Sequence, residues 1–273
     1  MTTSLSSTDL AAYLARIGYD GPVEPSRVAM NRLHLLHPQK IPFENLNAVA
    51  GLGVAIDLPA IVAKLVHSRR GGYCYEHNGL FHAVLEAFGF AVTPLAARVL
   101  MGMSEDAQVA QTHKLLRVNC EGEDLIADVG FGGMTLTGPI RLVADVEQQT
   151  PHEPYRLVRT GEDWWLRAKV GGDWRLLYRF TLRPAWPIDD EVSNHYVATH
   201  PSSSFTRTLI AARILPRGRL TLMNRRVSEH RLGEASLVEE IDGDAALRVI
   251  LAERFGIAVA EEAWAKVIGG IAG

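Results

Sequence analysis

With 273 residues, 47% of them hydrophobic, the chain can bury a substantial core and is long for one simple domain, which excludes a disordered polypeptide and implies two or three subdomains. A formal net charge of -3 supplies no long-range attraction for nucleic acid or an anionic membrane, so neither is an expected partner. Only two cysteines are present; Cys74 and Cys120 allow one disulfide, but such sparse use fits a reducing cytosol better, with one thiol reactive and the other inert.

In chain order, residues 1–9 are polar and lack the basic and apolar regions of a signal peptide, so a cytoplasmic location is expected. Ser7 or Thr8 is expected to cap a helix with Leu10, Tyr13, Leu14 and Ile17 on one face, closed by Gly18. The most apolar stretch, residues 48–66, is broken by Gly51, Gly53, Asp57 and Pro59, which argues against a membrane span. Asp57 instead caps a second helix carrying Ile61, Val62, Leu65 and Val66. Leu80, Phe81, Val84, Leu85 and Phe88 then recur at helical spacing up to a stop at Gly89, completing a small bundle over residues 1–89.

From residue 90 the pattern changes to alternation and turn signals. Strands are expected at 92–100, 114–119, 125–129, 155–158, 164–169 and 174–180, with tight turns at Gly161 and Gly171-Gly172. This middle part, residues 90–186, reads as an antiparallel sheet or small barrel. A connecting helix at 189–199 lies in a linking segment, 187–204. Strands at 208–215, 220–222 and 226–231 and helices at 245–255 and 260–268 complete a C-terminal part, 205–273.

The most informative stretch is Arg69-Arg70-Gly71-Gly72-Tyr73-Cys74-Tyr75-Glu76-His77-Asn78, which sets a cysteine at the mouth of the third helix. Unpaired backbone N–H groups and the positive end of the helix dipole favour thiolate there, making Cys74 a candidate nucleophile. A nucleophilic thiol needs a base and a group to orient that base, and His113 and Asp128 are the candidates. They flank a hairpin. If it turns about Cys120-Glu121 they stand directly opposite; if it turns about Glu121-Gly122 they are diagonal neighbours on one face. Cys120, within an apolar strand, reads as packing.

Asp128-Val129-Gly130-Phe131-Gly132-Gly133 is either a simple turn or a loop whose N–H groups accept an anion; without a closing Lys-Ser/Thr it is not a nucleotide-triphosphate site. The arginines from 213 to 231 read either as a solvated surface or as a local grip on a phosphorylated ligand. No metal is expected, because the ten histidines show no paired ligand spacing and the cysteines are too few for structural zinc.

Taken together, Ile41-Pro42-Phe43-Glu44-Asn45-Leu46, Arg70-Gly71-Gly72-Tyr73-Cys74, Thr112-His113, Asp128-Val129-Gly130-Phe131-Gly132, and Asn194 followed by Ser204-Phe205 form an ordered set that resembles the arylamine N-acetyltransferases. The resemblance implies an α+β fold: an N-terminal helical bundle, a central antiparallel β-barrel and a C-terminal α/β lid around a cysteine-protease-like Cys-His-Asp core. It implies that Cys74 accepts the acetyl group, that His113 is its base and Asp128 the orienter. It implies a ping-pong reaction with acetyl-CoA as co-substrate, the acetyl group passing to an aromatic amine, hydrazine or N-hydroxyarylamine. It also marks Phe43, Phe131 and Phe205 as walls of the acceptor pocket, and Gly130, Gly132 and Gly133 as contacts for the CoA pyrophosphate. The family commonly carries Phe-Glu-Gln-Asn after the cysteine, where this chain has Tyr75-Glu76-His77-Asn78; His77 is thereby a second possible base, though its place one turn along favours a supporting hydrogen bond. The same residue order serves papain-like and transglutaminase-like proteins, so an amide synthase or cysteine hydrolase is the alternative enzyme, and a non-catalytic binding module is the third reading.

Overall fold

The structure is a computed structural model that describes residues 4–271. Its first part is helical: α1 (Ser7–Ile17), α2 (Arg27–Lys40), a two-residue strand β1 (Phe43–Glu44), α3 (Leu46–Val49), α4 (Leu58–Val62) running on into a π turn (Ala63–His67), and α5 (Cys74–Ala87). Ser6, rather than Ser7 or Thr8, caps α1 by accepting the Asp9 N–H at 3.0 Å, and Gly18 closes it in the left-handed region at φ 74°. Asp57 caps α4 through the Ala60 N–H. Tyr13, Ile17, Met30, Leu33, Leu65, Phe81 and Val84 bring these helices into one core.

The barrel strands follow: β2 (Ala91–Val99), β3 (His113–Cys120), β4 (Glu123–Ala127), β5 (Ile140–Arg141), β6 (Tyr155–Thr160), β7 (Asp163–Val170) and β8 (Asp173–Pro184), in the order β5-β4-β3-β2-β8-β7-β6. Bridges from Ala144 to Leu157 and from Gln148 to Tyr155 span the remaining gap, so the sheet is nearly closed. The β3–β4 hairpin pairs Cys120 with Glu123, leaving Glu121 (φ 55°) and Gly122 (φ 84°) as its turn. Both left-handed values belong to a type I′ turn, whose twist matches the strands. This selects the diagonal of the two registers expected for His113 and Asp128.

β3 is buried on both faces. Leu115 packs into the barrel interior with Ile126, Tyr155 and Tyr178, whereas Leu116 and Val118 pack against the helices. By strand alternation His113 shares the barrel side with Leu115.

After α6 (Pro187–Thr199) and a 3-10 turn (Ser204–Thr206), the chain forms β9 (Ile210–Leu215), β10 (Gly218–Met223), β11 (Arg226–Arg231) and β12 (Leu237–Glu240), then α7 (Asp244–Ile250) with a π turn (Leu251–Phe255), and α8 (Glu261–Gly270). The second sheet has the order β1-β9-β10-β11-β12. Its first strand comes from the helical part, Phe43 pairing with Ala212 and Glu44 with Ala211. The N- and C-terminal parts therefore interlock. Asn45 fastens the joint, donating to the Phe205 and Thr208 carbonyls and accepting the Ile210 N–H, while Leu46 and Val49 enter the core beneath α7 and α8.

Among the described residues no helix is long and apolar enough to cross a membrane.

Asn45→Ala removes three such hydrogen bonds at a buried site, and a loss of about 2–4 kcal/mol in unfolding free energy is expected, read from a urea titration.

Candidate active site

Cys74 is the first residue of α5, and the loop before it is held by charge and by close packing. A Cβ on Gly71 would lie 2.0 Å from the Pro42 carbonyl oxygen, and one on Gly72 would lie 2.6 Å from Glu76 Oε2, so only glycine fits. Glu76 accepts the Tyr73 N–H at 3.0 Å and Lys64 Nζ at 2.6 Å; Glu44 accepts two bonds from Arg70 at 3.0 and 2.7 Å. Burial opposes the charge on Glu44, but Lys64 and Arg70 offset it and hold that carboxyl below its ordinary value. Burial dominates at Glu76, whose pKa is pushed up to about 7 despite Lys64.

The structure brings Cys74, His113 and Asp128 together. Asp128, fully buried just beyond β4, accepts His113 Nε2 at 2.7 Å, Asn78 Nδ2 at 2.9 Å and the Gly130 N–H at 3.0 Å. Burial opposes its charge, yet these donors hold its pKa below 3.8. With Nε2 so engaged, Nδ1 is the ring nitrogen left to face Cys74, whose sulfur lies near enough to raise the His113 pKa. Burial alone would discharge His113, but the Asp128 carboxylate and Cys74 push its pKa up to about 10. The Cys74 Sγ also lies 3.7 Å from the Thr112 carbonyl oxygen.

Asn78, one helical turn beyond Cys74, was not singled out by its residue type, yet it joins all three elements. Its Nδ2 reaches Asp128 and the Lys114 carbonyl next to His113, and its Oδ1 accepts the Val129 N–H at 3.1 Å. Its i+4 spacing from the cysteine was the available signal. His34, on α2, accepts the Asp128 N–H at 3.1 Å. On the far side α6 straps the site, through a Tyr73–Asn194 hydrogen bond, a Lys114–Asp190 ion pair and Ser193 bonded to the Gln111 carbonyl at 3.0 Å.

His77 is not a second base. Its Nε2 donates to the Pro42 carbonyl and its Nδ1 faces His37, and burial lowers its pKa to about 4. The supporting role is the one observed.

The three phenylalanines divide between two walls. Phe43 and Phe205 face each other edge to face at 6.2 Å beside Tyr73, Cys74 and Tyr75. Phe131 instead covers His113 at 5.0 Å together with Tyr178. Each of the three remains half-buried, leaving ring surface for a ligand.

In the glycine loop the three positions differ. The Gly130 N–H is already donated to Asp128, and a Cβ there would lie 2.9 Å from Cys74 Cα. At Gly132 (φ 71°) a Cβ would touch the Phe43 ring at 3.5 Å, and at Gly133 it would lie 2.6 Å from Thr221 Cγ2. Beside Tyr75, Gln111 and Ser193 opens a cleft of about 660 Å³ that also carries Arg98 and Arg179. Half of the arginines from 213 to 231 are paired with carboxylates: Arg219 with Glu153, Arg225 with Asp244 and Arg231 with Glu229. Both cysteines are free thiols, and no metal-ligating cluster occurs among the described residues.

The N-acetyltransferase family profile matches residues 28–264. An arylamine N-acetyltransferase of Mycolicibacterium smegmatis is 47% identical over 255 residues, covering 91% of this chain and 92% of that protein. The chain belongs to the arylamine N-acetyltransferase family. A Salmonella typhimurium relative, an arylamine N-acetyltransferase / N-hydroxyarylamine O-acetyltransferase, is 39% identical over 252 residues, covering 92% of this chain and 89% of the relative. The structure of Mycobacterium marinum arylamine N-acetyltransferase in complex with CoA superposes with a TM-score of 0.91 at 38% identity, over 96% of this chain and 100% of that one. The near-closed barrel and the helical N-terminus are thus the arylamine N-acetyltransferase fold.

Gly130→Ala forces a methyl group against Cys74 Cα and is expected to cost about 1–3 kcal/mol of stability, measured by urea unfolding, together with most of the reactivity of Cys74 toward iodoacetamide. The pH dependence has two limbs. From the ordinary histidine value of 6.5 up to about 10 the unfolded chain loses a proton that folded His113 keeps, so stability falls as pH rises through that window. From 6.5 down to about 4 the unfolded chain gains protons that buried His34 and His77 refuse, so stability falls as pH drops. Urea midpoints across both windows should show both limbs, and His113→Gln should flatten the alkaline one.

Proposed function

We propose that this protein transfers the acetyl group of acetyl-CoA to the nitrogen of aromatic amines and hydrazines, and to N-hydroxyarylamines, by a ping-pong reaction through a Cys74 thioester. The observation that carries this reading is the His113–Asp128 pair set beside Cys74, whose sulfur lies 3.7 Å from the Thr112 carbonyl, in a dry site next to the Phe43–Phe205 slot.

With its proton held by His113, the Cys74 thiolate attacks the donor's thioester carbonyl. The backbone N–H of Cys74, which as the first residue of α5 has no intrahelical acceptor, is the donor available to the developing oxyanion. The tetrahedral species expels the CoA thiolate, and His113 gives that sulfur its proton through Nδ1. Neutral His113 then takes a proton from the acceptor amine as the nitrogen attacks the acetyl-thioester and Cys74 leaves as thiolate. The ion pair is restored. Asp128 holds Nε2–H throughout and stabilises the imidazolium that appears once per half-reaction.

A thioester intermediate conserves the donor's activation, so attack by an amine is downhill. Cys74 is only 6% exposed, which disfavours hydrolysis of that intermediate and weighs for transfer over the hydrolase alternative. Phe43 and Phe205 form the aryl slot and Phe131 shields the imidazole. The donor is a CoA thioester, whose leaving group, CoA, is the ligand of the Mycobacterium marinum relative; Gly130, Gly132 and Gly133 serve as a wall without side chains past which its thioester end reaches Cys74. Detoxification of foreign aromatic amines in the cytoplasm is the setting this chemistry suits, and the two free thiols accord with a reducing compartment.

Incubation with acetyl-CoA should yield a protein heavier by one acetyl group in intact mass spectrometry, and Cys74→Ser should remove that label. No adduct with acetyl-, propionyl- or malonyl-CoA would refute acyl transfer. His113→Ala should slow turnover by about 10²–10⁴-fold, and Asp128→Asn should act in the same direction. Both should slow alkylation of Cys74 by iodoacetamide at neutral pH; an unchanged alkylation rate would remove these residues from the mechanism.

A further inference from the structure

A buried row of polar side chains that the acyl-transfer chemistry leaves unused runs from α1 to the aromatic slot. Tyr13 Oη lies 2.9 Å from His37 Nδ1, His37 Nε2 lies 2.8 Å from His77 Nδ1, and His77 Nε2 lies 3.1 Å from the Pro42 carbonyl oxygen. All three side chains are shut off from solvent. A carbonyl can only accept, so the polarity of the whole row is fixed from that end. His77 carries its proton on Nε2 and accepts on Nδ1; His37 therefore donates from Nε2 and accepts the Tyr13 hydroxyl proton on Nδ1. Each imidazole is neutral, with one donor and one acceptor, and each is satisfied.

The row ends on the acceptor wall. Pro42 directly precedes Phe43, and the Phe43 ring lies nearly parallel to the His77 ring, with centroids 6.2 Å apart and planes 12° apart. Phe43 also meets Phe205 edge to face. His77 thus grips one wall of the slot twice, at its backbone and at its ring face. Its own backbone sits on the same helix as Cys74, one turn along, so the distance from nucleophile to wall is set through one rigid element.

We propose that His77 is a specificity-determining positioning residue, which, locked in its Nε2–H tautomer by His37 and Pro42, holds Phe43 opposite Phe205 and so selects a flat aromatic acceptor. The proposal rests on the acetyl-transfer reading above. It assigns His77 to the second half-reaction and leaves the attack of Cys74 on the donor independent of it. Glutamine, common in the family at this place, carries an N–H and a carbonyl on one side chain and can keep the same polarity between His37 and Pro42 without the ring.

The test separates the two half-reactions. Wild-type protein must first form the acetyl adduct; if it does not, the functional reading fails and this one with it. Given the adduct, His77→Leu leaves the Pro42 carbonyl and the His37 N–H without partners, and the KM for an aniline should rise by about tenfold, a lost buried hydrogen bond being of that order. Acetylation of Cys74, followed by mass spectrometry at short times, should stay within about twofold. The preference for an aniline over a non-aromatic hydrazine should fall in parallel. His77→Gln should restore the aniline KM to within about threefold of wild type by keeping both hydrogen bonds. Nitrogen-15 shifts of the imidazoles in the unmodified protein provide a measurement independent of any variant: His37 and His77 should both be protonated at Nε2. An Nδ1–H tautomer at His77, an unchanged aniline KM in His77→Leu, or an equal loss in both half-reactions would each overturn the proposal.

Discussion

The dry carboxylate of Asp128 is where the three parts of the active site meet. An ionised group with no access to water carries a desolvation cost of several kcal/mol, tolerated only if hydrogen bonds and an opposite charge replace the solvent shell. Here the replacement comes from three directions: the His113 ring on β3, Asn78 on α5, and the Gly130 N–H of the loop beyond β4. Each donor has a second task. His113 reaches Cys74, Asn78 pins the strand beside His113, and Gly130 packs on Cys74 Cα. Satisfying the carboxylate and gathering Cys74, His113 and Asp128 are therefore one structural event, and the raised pKa of His113 is its electrostatic signature.

The surrounding architecture keeps that event dry. Helix α5 presents Cys74 at its N-terminus; the barrel presents His113 on the inner face of β3 and Asp128 at the end of β4; α6 closes the outer side through Tyr73–Asn194 and Lys114–Asp190. The C-terminal sheet is attached by a strand only two residues long, Phe43–Glu44, but that strand carries both an aromatic wall and a buried glutamate that fixes the loop before Cys74. Tertiary pairing at β1 thus contributes to the proposed aryl slot and to the placement of the thiol.

Much of this was legible beforehand, and the misses have physical causes. The Cys74 helix, the barrel strands and the sharing of one hairpin by His113 and Asp128 followed from periodicity and turn residues, because helical or alternating apolar spacing and glycine turns punctuate these elements. α2 was not resolved as a separate helix: its core-facing positions combine Met30 and Leu33 with His34 and His37, whose polar rings blur the apolar stripe. β12 escaped because all four residues are exposed, so no alternation marks it. In the glycine loop, the donation of the Gly130 N–H to Asp128 and the close approaches at Gly130 and Gly133 are properties of what stands opposite each glycine and not of the glycines themselves.

By itself the sequence determined the chemistry available: one cysteine at a helix entry, a histidine and an aspartate within one hairpin, and an ordered set of motifs specific enough to point to a family. Local rules suffice for these, since capping, alternation and turn preferences act over a few residues. Only the tertiary structure decided which groups are charged, which are neutral and which touch. The same residue type is a protonated partner at position 113 and a neutral spacer at 34, 37 and 77, because protonation depends on burial and on neighbours brought from distant parts of the chain.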